Sequence, residues 1–174
     1  DTVIEELNDI NTLWEPYGRT TRNGFHSGNK LNIFNDPQNK LAKLKSIIFD
    51  EIDLYHSKFL KDSCSFIQNW PLKKELTGWY VILKKQGYQI PHYHPGGWLS
   101  GVVYLKVVPS LEKDEGAIEF SLNGQEYFDE NLPKKIHKPK SGDIVLFPSS
   151  LHHRTIPFTT DRDRIVVAFD LHPY

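Results

Sequence analysis

The chain has no methionine and a single cysteine, Cys64, among its 174 residues. One cysteine excludes an internal disulfide and any cysteine-based zinc site, and it suits a reducing compartment. A sequence without an initiator methionine reads as trimmed or as a piece of a longer chain. No apolar run approaches the roughly 20 residues of a membrane span. The first residues, DTVIEELNDI, are acidic and do not form a secretory leader. The expectation is therefore a cytoplasmic protein with no membrane partner. Neither charge sign dominates: 21 Lys and Arg face 22 Asp and Glu. A balanced chain gives no reason to expect nucleic acid. The length suits one domain over residues 1–174, with a helical flank over 1–75 and a β core over 76–174. Repeats, low-complexity tracts and linkers are absent too. Composition leaves the oligomeric state open.

What is present changes character near residue 75. Before it the texture is mainly helical. Asp36 is placed to cap a helix whose first turn holds Pro37. Leu41, Leu44, Ile48, Ile52, Tyr55 and Phe59 then recur every three or four positions, one apolar helix face. A shorter helix is expected near residues 2–14. From Thr77 onward come short β-rich runs: GWYVILKK, LSGVVYLKV, GAIEFSL, DIVLFP, HRTIPF and DRIVVAFDL. Gly, Pro, Asn and Asp clusters separate them. Such spacing suggests a sandwich or barrel, jelly rolls included. The lysine-rich stretch from Lys134 to Lys140 reads as a solvated loop.

Two strings carry chemistry. In QIPHYHPGGW, His92 and His94 lie two apart, and in a strand such residues share a face, so both imidazoles can reach one point. Taken alone the pair is better described as two surface histidines near a turn. In LFPSSLHHRTIPFTTDRDRIVVAFD, His152 and His153 are followed by Arg164. Neighbours in a strand face opposite ways, so one of the two histidines is excluded from any shared metal. The arginine fork fits a carboxylate in two bonds, or it makes a surface pair with Asp161 or Asp163. Glu119 in GAIEFS reads as structural.

Together these strings resemble a bacterial family of 2-oxoglutarate/Fe(II)-dependent oxygenases, often fused to tetratricopeptide repeats. The likeness is strong over about 75–172 and looser from about 25. It implies a mainly β fold with flanking N-terminal helices, a cupin-like jelly roll called the double-stranded β-helix. It implies Fe(II), 2-oxoglutarate and O₂ as cofactors, with His92, His94 and His153 as metal ligands and His152 at a variable position. His94 stands where most of the wider superfamily has Asp or Glu, which removes the anionic ligand: either three neutral imidazoles bind the metal, or His94 points elsewhere and water or another anion fills the open position. Arg164 matches the arginine that pairs the distal carboxylate of 2-oxoglutarate, and Tyr104 a tyrosine that bonds the same group. The activity implied is hydroxylation of a C–H bond with release of succinate and CO₂. The substrate, a small molecule or a protein, is unidentified; Gln89, Tyr93, Trp98 and Trp79 flank the expected metal mouth. Cupins share the three histidines but usually add a Glu after the first pair, absent from PGGWLSGVV, and would leave Arg164 without a role. A non-enzymatic sugar- or peptide-binding β-domain with Tyr93 and Trp98 as a platform is the third reading.

Overall fold

The computed structural model describes residues 2–28, 31–124 and 127–173. Helix α1 (Thr2–Asn8) opens the chain, followed by strands β1 (Thr12–Trp14) and β2 (Thr21–Ser27). Helix α2 (Asn39–Phe59) and the single turn α3 (Ser65–Gln68) lead into β3 (Lys74–His92). Then come β4 (Leu99–Lys106), β5 (Ile118–Ser121), β6 (Lys134–His137), β7 (Ile144–Pro148), β8 (His152–Thr155) and β9 (Arg164–Pro173). No helix among the described residues is long and apolar enough to cross a membrane.

The strands form one curled antiparallel sheet in the order β6-β5-β8-β3-β9-β4-β7, with β2 on β3 and β1 on β2. β3 is the hinge of the curl. Its first half, Lys74 to Leu83, pairs with β9, whereas Gln89 and His92 near its end pair with Thr155 and His153 of β8. Between the halves Gln86 takes a left-handed backbone (φ 61°). The next residue is Gly87, where a Cβ would fall 2.5 Å from the carbonyl of Lys84. Two four-stranded layers result, β3-β9-β4-β7 facing β3-β8-β5-β6. This is the double-stranded β-helix with helices outside it.

β9 shows why its sequence is almost continuously apolar. Ile165, Val167, Phe169 and Leu171 pack outward with Leu76, Tyr80, Leu99 and Val103, under Leu44, Ile48 and Ile52 of α2. Val166 and Ala168 point inward with Val81, Val102, Tyr104, Ile118 and Phe147. Both faces of β9 are covered, so neither alternates with polar residues.

Three local expectations need correction. Asp36 does not cap α2; it takes a positive φ of 47°. The carboxylate of Glu6 does so from α1, accepting the N–H groups of Lys40 and Leu41 at 3.0 Å each. The supposedly helical flank contains β1 and β2, and β2 extends the sheet along β3. The lysine-rich stretch is not all loop, because Lys134–His137 pairs with β5 as an edge strand. Lysines on an exposed edge discourage pairing with another chain.

Candidate metal centre and co-substrate pocket

His92 ends β3 and stands opposite His153 of β8 in register. Their rings lie 4.3 Å apart. His94 follows after the strand has ended. Its N–H donates to the carbonyl of Ser149 (2.9 Å) and its own carbonyl accepts from Gly97 (3.2 Å). Its ring is 5.2 Å from that of His92 and 5.0 Å from that of His153. One potential donor atom from each histidine lies within 4.8 Å of the others.

Hydrogen bonds decide which atom that is. His92 Nδ1 donates to the carbonyl of Ile90 (2.7 Å) and His153 Nδ1 to that of Leu151 (3.0 Å). His94 Nδ1 donates to Asp170 Oδ1 (2.6 Å). With every Nδ1 engaged, each Nε2 keeps a lone pair for a ligand-binding role. Burial, reinforced by His94, holds His92 down to about 4. Burial, with His92 and His94 beside it, holds His153 down to about 2. Both are neutral at physiological pH, the form that binds a metal. The ring of His152 turns instead toward Tyr93, 4.9 Å away.

Arg164 begins β9 on its inward face and is 2% exposed. Its Nε donates to the carbonyl of Gly116 (3.2 Å), and its guanidinium carbon lies 4.9 Å from the centre of the Tyr104 ring. The Tyr104 hydroxyl, also buried, has no well-formed hydrogen bond. Among the described residues no carboxylate pairs with Arg164, and burial lowers its pKa. A buried cation without an anion, with the Tyr104 hydroxyl beside it, fits an incoming carboxylate. Arg162, two positions earlier, is exposed. The acids that offered Arg164 a surface pair are taken by lysines, Asp161 by Lys85 (3.2 Å) and Asp163 by Lys84 (2.7 Å). Glu119 makes a two-bond pair with Arg154 across β5 and β8 at 2.8 and 3.0 Å.

Two clefts open at the histidines. One, about 580 Å³, is lined by Trp79, Gln89, His92, Tyr93, His94 and Asp170 among others. The second, about 900 Å³, runs from His92 and Tyr93 past His152 to Tyr127 and Arg22. Gln89, Tyr93 and Trp79 thus stand at the clefts. Trp98 does not: its indole stacks on Phe66 of α3, with ring centres 5.5 Å apart.

Several site residues escaped the sequence reading. Asp170, Ser100 and Ser149 form a chain of hydrogen bonds behind His94. His26 of β2 lines the smaller cleft and is 2% exposed. Burial and the charge of Arg19 hold it at about 4, despite a bond to its own neighbour's carbonyl at Ser27. The only signal for Asp170 was its place at the end of RIVVAFD, a polar residue closing an apolar run.

A family model of 2OG-Fe(II) oxygenases matches residues 77–170. The chain belongs to that family. As a 2OG-Fe(II) oxygenase it is an enzyme whose cofactors are Fe(II) and 2-oxoglutarate. A search of curated proteins found no match. Among solved structures it is similar to a prolyl-4-hydroxylase from Pseudomonas putida, at 15% identity and a TM-score of 0.64, over 99% of this chain and 82% of that one. HygX from Streptomyces hygroscopicus, solved with nickel and 2-oxoglutarate bound, is 14% identical with a TM-score of 0.63, over 99% and 77%. The carbocyclase SnoK from nogalamycin biosynthesis is 14% identical with a TM-score of 0.65, over 98% and 72%. At these identities the likeness establishes the oxygenase fold.

Proposed function

We propose that this oxygenase hydroxylates a C–H bond of its substrate while 2-oxoglutarate is converted to succinate and CO₂. His92, His94 and His153 hold Fe(II) through Nε2, and Arg164 with Tyr104 holds the distal carboxylate of 2-oxoglutarate. One observation carries the reading: three imidazoles converge, each with its Nδ1 already committed elsewhere. Histidines gathered for packing would have no need to present their free nitrogens to one point.

Bound Fe(II) supplies the site where O₂ is activated at the expense of 2-oxoglutarate. The protein's part is orientation and shielding. Phe147 packs 4.5 Å from the His153 ring, and Trp79 lies 5.5 Å from that of His94, so apolar rings crowd the ligands. Arg164 fixes the co-substrate from within the roll. The substrate, a small molecule or a polypeptide, enters by the clefts past Tyr93 and Gln89.

The test is turnover of 2-oxoglutarate with Fe(II) under air, read as succinate against a panel of amino-acid, peptide and metabolite candidates. Succinate rising in step with one hydroxylated product supports the reading. A metal-loaded protein that neither binds 2-oxoglutarate nor consumes it would sink it.

A further inference from the structure

Asp170 closes the inward face of β9, and its side chain is only 10% exposed. Its Oδ1 accepts from His94 Nδ1 and from the Ser100 hydroxyl, both at 2.6 Å. Ser100 in turn lies 2.8 Å from the hydroxyl of Ser149. Ser100 Oγ also lies 3.0 Å from His94 Nδ1, and with the Asp170 carboxylate ionised the donors run one way. Ser149 donates to Ser100, Ser100 donates to Asp170, and His94 donates to Asp170. The register places Ser100 directly opposite Asp170 on adjacent strands. The loop that carries His94 is pressed onto the same group. A side chain at Gly97 would fall 2.5 Å from Ser149 Oγ and 3.2 Å from the Asp170 carboxyl carbon.

Among the described residues no lysine or arginine pairs with Asp170; its partner is the His94 imidazole, 2.6 Å away. A buried carboxylate without a cation of its own is costly. Its charge is instead directed through an imidazole toward the point where the three Nε2 atoms meet. The other two ligand histidines rest on neutral carbonyls, Ile90 and Leu151. His94 is also the residue that stands outside any strand, so backbone pairing does not orient its ring. It is the one histidine that needs an orienting group, and the one that has a charged one.

We infer that Asp170 is a positioning residue that makes His94 a metal ligand. It fixes the tautomer with Nδ1 protonated and Nε2 free, holds the ring toward His92 and His153, and places behind the site the negative charge that three neutral imidazoles lack. A carboxylate behind a ligating histidine raises the ligand's basicity, and losing such a partner typically costs ten- to hundredfold in metal affinity. This inference rests on the three-histidine centre proposed above.

The experiment uses Co(II) as probe, reading its dissociation constant and visible absorption bands under anaerobic conditions. Asp170→Ala should weaken Co(II) by ten- to hundredfold and alter the bands. Asp170→Asn keeps the size and one accepting oxygen, so it should recover part of the loss. In a His94→Ala background, Asp170→Ala should cost less than threefold further, because its route to the metal is gone. Nitrogen-15 NMR of the metal-free protein should show His94 protonated at Nδ1 in the wild type and mixed tautomers in Asp170→Ala. An equal loss in both backgrounds, or an unchanged tautomer and Co(II) affinity in both Asp170 variants, would overturn the inference. His92→Ala and His153→Ala separate the two levels. If they abolish Co(II) binding while the Asp170 variants do not change it, the centre stands and the role of Asp170 falls. If they leave Co(II) binding intact, both fall.

Discussion

Arg162 and Arg164 stand two positions apart and differ completely in setting. Arg162 is in solvent, while Arg164 is buried in the interior of the roll. Hydrogen bonds to charged groups contribute about 1.5–3 kcal/mol, and 1.4 kcal/mol is one decade in binding. Arg164→Ala should therefore weaken 2-oxoglutarate at least about tenfold, measured by anaerobic titration of the Co(II)-loaded protein. Arg164→Lys, a point charge without the fork, should recover part of this. Arg162→Ala should leave the constant alone; a comparable loss there would mean the anchor has been misassigned. The adjacent histidines make a second pair. His153→Ala should abolish stoichiometric Co(II) binding, and His152→Ala should not, since its ring faces Tyr93. The reverse result would exchange their roles. The histidines and Arg164 were singled out by the resemblance of their two strings to a family, since spacing alone left surface roles open; strand alternation does not account for His94, which lies beyond the end of β3 and not on one strand face with His92. Asp170 was not, because its meaning depends on Ser100 lying across from it, seventy positions away. The placement of Trp98 failed for a related reason: proximity in sequence to His94 says nothing about which side of the turn a ring takes.

Elements were legible where a pattern repeats and illegible where a partner supplies what the local sequence lacks. The face of α2 followed from its 3.6-residue spacing, and Leu44, Ile48 and Ile52 are buried as that spacing requires. Its start did not, because the cap comes from Glu6, more than thirty positions earlier. Removing a cap costs about 0.5–2 kcal/mol. Glu6→Ala should lower the urea midpoint by a corresponding amount with an unchanged slope. No shift in midpoint would show that water satisfies the Lys40 and Leu41 N–H groups equally well. β2 and β6 were missed because neither is apolar enough to announce itself. TRNGFHS is polar yet holds Thr21 and Ser27 fully buried. KKIH is an exposed edge whose pairing with β5 is made by backbone alone.

At the scale of the whole molecule, two buried histidines, His26 and His153, and the half-buried His92 tie stability to pH. His26 and His92 are held at about 4 and His153 at about 2, each chiefly by burial. In the unfolded chain a histidine titrates near 6.5. Below that pH the unfolded state takes up protons that the folded state refuses, so stability falls as pH falls. The loss begins near 6.5, continues to about 4 for His26 and His92, and extends lower for His153. Each group contributes at most about 1.4 kcal/mol per pH unit, so the three together reach about 4. Urea midpoints of the metal-free protein should drop between pH 7 and 5, and His26→Gln should flatten that slope by about a third. Equal midpoints at both pH values would contradict the burial of these rings. The central place of β9 has a different kind of consequence, in time. It lies between β3 and β4 and follows the other strands of the described residues in chain order. On a ribosome the three histidines emerge before it does, yet the strands that flank it remain two open edges until it arrives. Contacts this distant in sequence close slowly, and open edges invite pairing with other chains. Closing both open edges thus depends on one late event, the insertion of a single ten-residue strand.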